Sequence, residues 1–149
     1  MRNTGIVSNC WNFYFQNDVK LRDLIGHAAD LQMRDIELRQ GSLGDLEPTH
    51  NNPHTEELKV IAQAHHHCRF DFAMSFPFFG ETFDSSACDL QLGRDVALAC
   101  GNGDAHLRLV DVTSDNVMAE ENFQNAVRSL AGLADDLHDD GVQLTLEHS

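Results

Sequence analysis

Residues 142–147 read Val142-Gln143-Leu144-Thr145-Leu146-Glu147, follow the turn Asp139-Asp140-Gly141 and alternate apolar with polar. Successive side chains of a strand point to opposite faces. The segment is therefore a strand with one oily face, one polar face and a carboxylate at its carboxyl end. That end is where α/β proteins place metal ligands and catalytic groups. The sequence stops two residues later, at Ser149, so the expectation is the first part of a larger enzyme.

The same alternation recurs upstream. Ile36 and Leu38 oppose Glu37 and Arg39, and Leu107 and Leu109 oppose His106 and Arg108. Between Phe70 and Phe76, Phe72 and Met74 oppose Ala73 and Ser75; Gly5 to Asn9 opens the series. Helical spacing fills the intervals. Leu21, Leu24, Ile25, Ala28 and Leu31 mark a helix from about Asn17 to Leu31. Thr55 reads as an N-cap before Glu56 and Glu57, and Leu58, Ile61, Ala62 and His65 continue that helix. A third starts at Ser85 or Ser86 and stops at Gly101, and a fourth carries Phe123, Ala126, Val127, Leu130, Leu133, Ala134 and Leu137. About five strands alternating with four helices imply a parallel sheet with right-handed crossovers.

The polar face chooses the architecture. A doubly wound sheet is covered by helices on both sides, and its strands read as near-continuous apolar runs. Here Glu37, Arg39, His106, Arg108 and Glu147 would lie unpaired beneath a second helix layer, at several kcal/mol each. In a barrel that face lines the lumen, where charges meet one another, water or substrate. A full eight-unit barrel takes about 250 residues, so the fold predicted is α/β, an incomplete TIM (β/α)8 barrel.

Composition limits the partners. The 149 residues suit one domain, and no apolar run approaches the roughly 20 residues that span a bilayer. A basic region followed by an apolar segment is missing at the amino terminus, so no signal peptide is predicted. Cys10, Cys68, Cys88 and Cys100 are scattered, as expected of reduced cytoplasmic thiols. The net charge of −14 opposes a nucleic-acid partner. Two accounts fit that charge, a solvated acidic surface or adaptation to high salt. The second draws on 2 Lys against 8 Arg and 16 Asp against 8 Glu, a balance seen in proteins of salt-loving microbes.

Three segments carry a resemblance. DIELRQG at 35–41, DVALACGNGDAHLRL at 95–109 and GVQLTLEHS at 141–149 resemble the sugar phosphate isomerase/epimerase superfamily, the xylose-isomerase-like TIM barrels. The likeness covers residues 1–149 in order, from the first barrel strand to the fifth, as the amino-terminal part of one domain truncated after strand five. It implies a divalent cation, Mn²⁺ or Mg²⁺, held by carboxylates and a histidine at strand ends. The first ligand is a glutamate closing strand five, matched by Glu147; the others belong to strands six to eight. In isomerising members that glutamate also moves a proton, while the cation polarises the oxygens of an enediolate.

The expected activity is therefore isomerisation or epimerisation of a sugar or sugar phosphate, by proton abstraction next to a carbonyl. Rivals are a lyase or dehydratase acting on a keto-sugar or inositol derivative, and a non-catalytic half-barrel binding module. A homo-oligomer is compatible with each. DNA-repair endonucleases of the superfamily need a basic groove, which the charge opposes.

Besides Glu147 as catalytic residue and metal ligand, Glu37 and Arg108 are candidates for binding substrate hydroxyls. With Arg39 they equally suit a structural ion network. Trp11 suits either a wall for a sugar ring or ordinary packing. The tract His65-His66-His67-Cys68 invites a metal reading, but consecutive helical side chains diverge by about 100°. Gly101-Asn102-Gly103-Asp104 follows a helix and precedes a strand, which suits a helix stop rather than a phosphate cradle.

Overall fold

A computed structural model describes residues 4–77, 88–111 and 120–148. Five strands alternate with helices: β1 (Gly5–Val7), β2 (Asp35–Arg39), β3 (Arg69–Ser75), β4 (Ala105–Asp111) and β5 (Val142–His148). All neighbours pair in parallel, and the sheet order is β1-β2-β3-β4-β5. This is an incomplete (β/α)8-like barrel of five consecutive units.

The helices are α1 (Asn12–Phe15), α2 (Leu21–Asp30), α3 (Thr55–Ala64), α4 (Cys88–Cys100) and α5 (Glu120–Asp139). Their apolar stripes and the oily strand faces form one core. Ile36, Leu38, Phe70, Phe72, Leu107 and Leu109 are buried in it with Leu21, Ile25, Leu58, Ile61, Val96, Ala97, Leu130 and Leu133. Each fully buried Leu, Ile or Phe contributes about 1.5–3 kcal/mol, and this burial holds the helices to one side of the sheet.

Local boundaries differ from the sequence expectation where tertiary contacts intervene. The helix expected over 17–31 starts later, at Leu21, and a separate short helix, α1, precedes the expected range, giving five α-helices rather than four. Asp18 adopts φ 60, and the Val19 N–H turns back to the Tyr14 carbonyl. Helix α2 then starts at Leu21, whose N–H donates to Asp45 Oδ1 at 3.0 Å, a cap supplied from a distant loop. Thr55 is the first residue of α3, whose N-cap is His54 and carries no side-chain cap bond. His65 lies just past the end of α3, and Phe123 and Val127 of the expected α5 stripe are exposed. The expected starts at Ser85 or Ser86 lie outside the described residues.

Gly101 does follow the last residue of α4, and the stop is steric. A Cβ there would sit 2.5 Å from the Ala105 Cα, so only glycine lets the chain turn directly into β4. Asn102 and Gly103 complete the turn with φ of 50 and 91.

Candidate functional site

The polar strand faces form two tiers. At the amino-terminal end, Arg69 pairs with Asp71 at 2.9 Å and lies 3.9 Å from Asp35, while His106 Nε2 is 3.0 Å from Asp104 Oδ1. The second tier lies nearer the carboxyl ends of the strands. Arg108 Nη2 donates to Glu37 Oε1 at 2.7 Å, and Arg108 Nη1 is 2.8 Å from Glu147 Oε2. Arg39 Nε donates to the same Glu37 oxygen at 3.0 Å.

Strand register explains the reach. Glu37 is level with Asp71, Arg108 with Ala73 and Thr145, and Glu147 with Val110. Arg108 thus stands one layer above Glu37 and one below Glu147, and its forked guanidinium serves both carboxylates. The small Ala73 side chain on β3 separates β2 from β4 at this level. Backbone support comes from Ser8, a fully buried residue whose Oγ accepts the Arg39 N–H at 2.8 Å.

One donor of the guanidinium is left over. Arg108 Nε is buried and, among the described residues, has no hydrogen-bond partner. A buried unsatisfied donor costs about 1–3 kcal/mol, so an acceptor brought to this nitrogen is favoured. Above the tier, a cavity of about 190 Å³ opens at the mouth, lined by Asn9, Arg39, Gln40, Ser42, Ser75 and Val110 among others.

The structure therefore brings Glu37, Arg108 and Glu147 together on one face, opposite Leu38 and Leu109. Trp11 is elsewhere. It is buried in the core and lines a different cavity with Ile6, Leu24 and Ala28, on the helix side of β1. His65, His66 and His67 occupy the turn after α3 with ring centroids about 6 Å apart, 6.0 Å for His65–His67 and 5.9 Å for His66–His67. Burial, Arg34 and the other two imidazoles lower the pKa of His67.

Among the described residues no three His, Cys, Asp or Glu side chains are grouped to hold a metal ion. A hard divalent cation takes several oxygen donors. Glu147 offers one carboxylate, already shared with Arg108, so the described residues do not by themselves fit such a cation.

Three residues escaped the sequence reading. Asp111 closes β4 and is fully buried; the criterion that singled out Glu147, an acid at a strand's carboxyl end, also applies to it. Ser8 had no such signal. Glu47 lies in the loop after β2, where its Oε2 accepts the Gly41 N–H at 2.7 Å. Burial raises the Glu47 pKa above its ordinary value, against backbone hydrogen bonds from Gly41, Asn51 and Leu43 and the nearby His50.

No protein-family model matches this chain, and no curated protein matches it. The described helices include none long and apolar enough to cross a membrane.

Proposed function

We propose that the chain supplies the first five units of a sugar isomerase or epimerase that abstracts a proton next to a carbonyl. The observation carrying this reading is the Glu37–Arg108–Glu147 chain of ion pairs on the luminal face, with Glu147 at the carboxyl end of β5. In (β/α)8 enzymes this end of the strands holds the chemistry. Glu147 serves as the proton-transferring carboxylate and as one ligand of a divalent cation, Mn²⁺ or Mg²⁺, whose remaining donors lie beyond the described residues. Arg108 fixes that carboxylate and offers its unpartnered Nε–H to a substrate oxygen. Glu37 holds Arg108 in place and accepts from a substrate hydroxyl.

The test is solvent exchange in D₂O. The product of the longest reading frame containing this chain is incubated with aldoses, ketoses and their phosphates, with Mn²⁺ or Mg²⁺. Deuterium is expected at the carbon beside the carbonyl. Glu147→Gln should lower that exchange by about 100-fold or more, the usual worth of a general base. Exchange at an undiminished rate in this variant, or with no sugar at all, would overturn the proposal.

A second reading, a non-catalytic half-barrel binding module, is favoured by one observation. Both Glu37 and Glu147 are already engaged by Arg108. Sugar binding without any deuterium incorporation would select it.

A further inference from the structure

The tract His65-His66-His67 follows α3, and its backbone has already left the helix. His65 is the C-cap, with φ −115 and ψ 41, and His66 and His67 form the turn that leads through Cys68 into β3. The divergence of about 100° between consecutive side chains belongs to a helix, so it does not separate these three. Their rings are drawn together instead. The His67 centroid is 6.0 Å from that of His65 and 5.9 Å from that of His66, with the planes inclined at 68° and 87°.

We propose that this turn binds a divalent transition ion of the nitrogen-preferring kind, Zn²⁺, Ni²⁺ or Cu²⁺, with His67 as the shared ligand and His65 or His66 as the second. The inference does not rest on the exchange reaction proposed above.

Distance and chemistry carry it. Imidazole nitrogens stand about 2.0–2.1 Å from such an ion, so the ring centres of a chelating pair are on the order of 5–6 Å apart. Imidazole suits Zn²⁺, Cu²⁺ and Ni²⁺, whereas Mg²⁺ and Mn²⁺ take oxygen donors. Two side chains hold an exchangeable ion whose remaining positions go to water, so no group of three, which the described residues lack, is required. His66 and His67 are exposed and His65 is partly so, which lets the ion enter directly from solvent.

The turn is also fixed in advance. Cys68 is buried, and its N–H donates to the His65 carbonyl at 2.8 Å. Ala62, three residues before His65, accepts from Asn102 Nδ2 at 2.8 Å. A preordered backbone leaves only side-chain rotations to be restricted when the ion arrives. Charge acts both ways. The net −14 draws cations to the protein, while the nearby Arg34 disfavours positive charge at His67. An ion held here joins the exit of α3 to the entry of β3, at the end of the sheet opposite Glu147.

The experiment is a nuclear magnetic resonance titration of the whole chain at neutral pH with ZnCl₂, and with NiCl₂ as a paramagnetic probe. The ring signals of His65, His66 and His67 should shift with Zn²⁺ before those of the other histidines, and Ni²⁺ should broaden the amides of this turn first. Mg²⁺ at the same concentration should leave them in place. His67→Ala should weaken Zn²⁺ binding about tenfold or more, a difference of about 1.4 kcal/mol. His65→Ala and His66→Ala should each cost less, because either leaves one pair. Arg34→Gln should tighten binding about two- to fivefold, the scale of an exposed charge interaction. No shift of these rings, equal uptake by the other histidines, or undiminished affinity in His67→Ala would overturn the proposal. Glu147→Gln should leave this binding unchanged, and His67→Ala should leave the exchange reaction with Mg²⁺ unchanged, so the two readings fail separately.

Discussion

Arg108 and Glu147 lie on adjacent strands, yet the sheet does not pair them. Thr145 is the register neighbour of Arg108, and Val110 that of Glu147. Their 2.8 Å ion pair joins residues of successive layers, so it spans the height of the lumen rather than one level. The same guanidinium reaches down to Glu37, and its removal would leave two acids facing a shared space.

Arg108→Ala should accordingly destabilise the fold by about 2 kcal/mol. The estimate lies below the 3–5 kcal/mol of a fully buried broken pair because these groups are only partly buried. Glu147→Gln should cost less than about 1 kcal/mol, since that carboxylate is more exposed than Glu37. Urea unfolding of the three proteins measures the order, and a larger loss in Glu147→Gln than in Arg108→Ala would contradict it.

Glu47 sets a pH dependence of defined sign. Burial raises its pKa in the folded state above the ordinary 4.5, so the folded protein holds this proton more tightly than the unfolded chain. The contribution is fully present below about pH 4.5 and is lost as pH rises through the folded value. Relative to Glu47→Gln, the unaltered protein should therefore lose melting temperature as pH rises from 4.5 towards neutrality. Parallel melting curves for the two across that window would refute the assignment.

The thiols should separate by accessibility. Cys10 is exposed, whereas Cys68 and Cys100 are buried. Burial pushes the Cys100 thiol up to about 12, and it also raises Cys68. Thiolate is the reactive form, so peptide mapping after brief alkylation at neutral pH should find Cys10 modified, with Cys68 and Cys100 modified only after denaturation. Labelling of Cys100 in the native protein would mean that the β4 side of the core opens readily.

Salt should stabilise the protein. The charge of −14 repels itself over about 10 Å at 0.1 M salt and over about 3 Å at 1 M. The ion pairs of the lumen are partly buried and screened less. Melting temperature should rise from low to molar KCl, and a flat profile would remove the high-salt adaptation reading.

The outer face of β5 becomes less covered along its length. Val142 is 1% exposed and Leu146 is 47% exposed. Within the described sheet β5 pairs only with β4, which leaves an open edge. Self-association measured by sedimentation should increase with salt, as screening weakens the repulsion between copies. Leu146→Lys should suppress it at a stability cost within about 0.5 kcal/mol. Equal association by both proteins would place the contact elsewhere.

Much of this was legible in the sequence because strand alternation is a local signal. Glu37, Arg108 and Glu147 each sit at a polar position of an alternating run, and the shared face follows once the strands are parallel and in order. What the sequence concealed depends on contacts between distant segments. The late start of the helix expected from Asn17 turns on Asp45, 24 residues past the N–H it caps. The Glu47 loop has no periodicity, and only folding shows that its carboxylate closes back on Gly41. Trp11 carried two readings that composition alone left equal, and its burial with Ile6 and Leu24 places it in the packing. The role of Gly101 was read correctly as a stop, yet its cause, the approach of Ala105, is tertiary.

The strand order also bears on synthesis. Each of β2 to β5 pairs with the strand translated just before it, so within the described sheet no strand waits for a distant partner to emerge from the ribosome. Each new β/α unit can dock as it appears, on an edge left by its predecessor. The nascent sheet then grows from one side only, and the most recently made strand is always the one awaiting a neighbour.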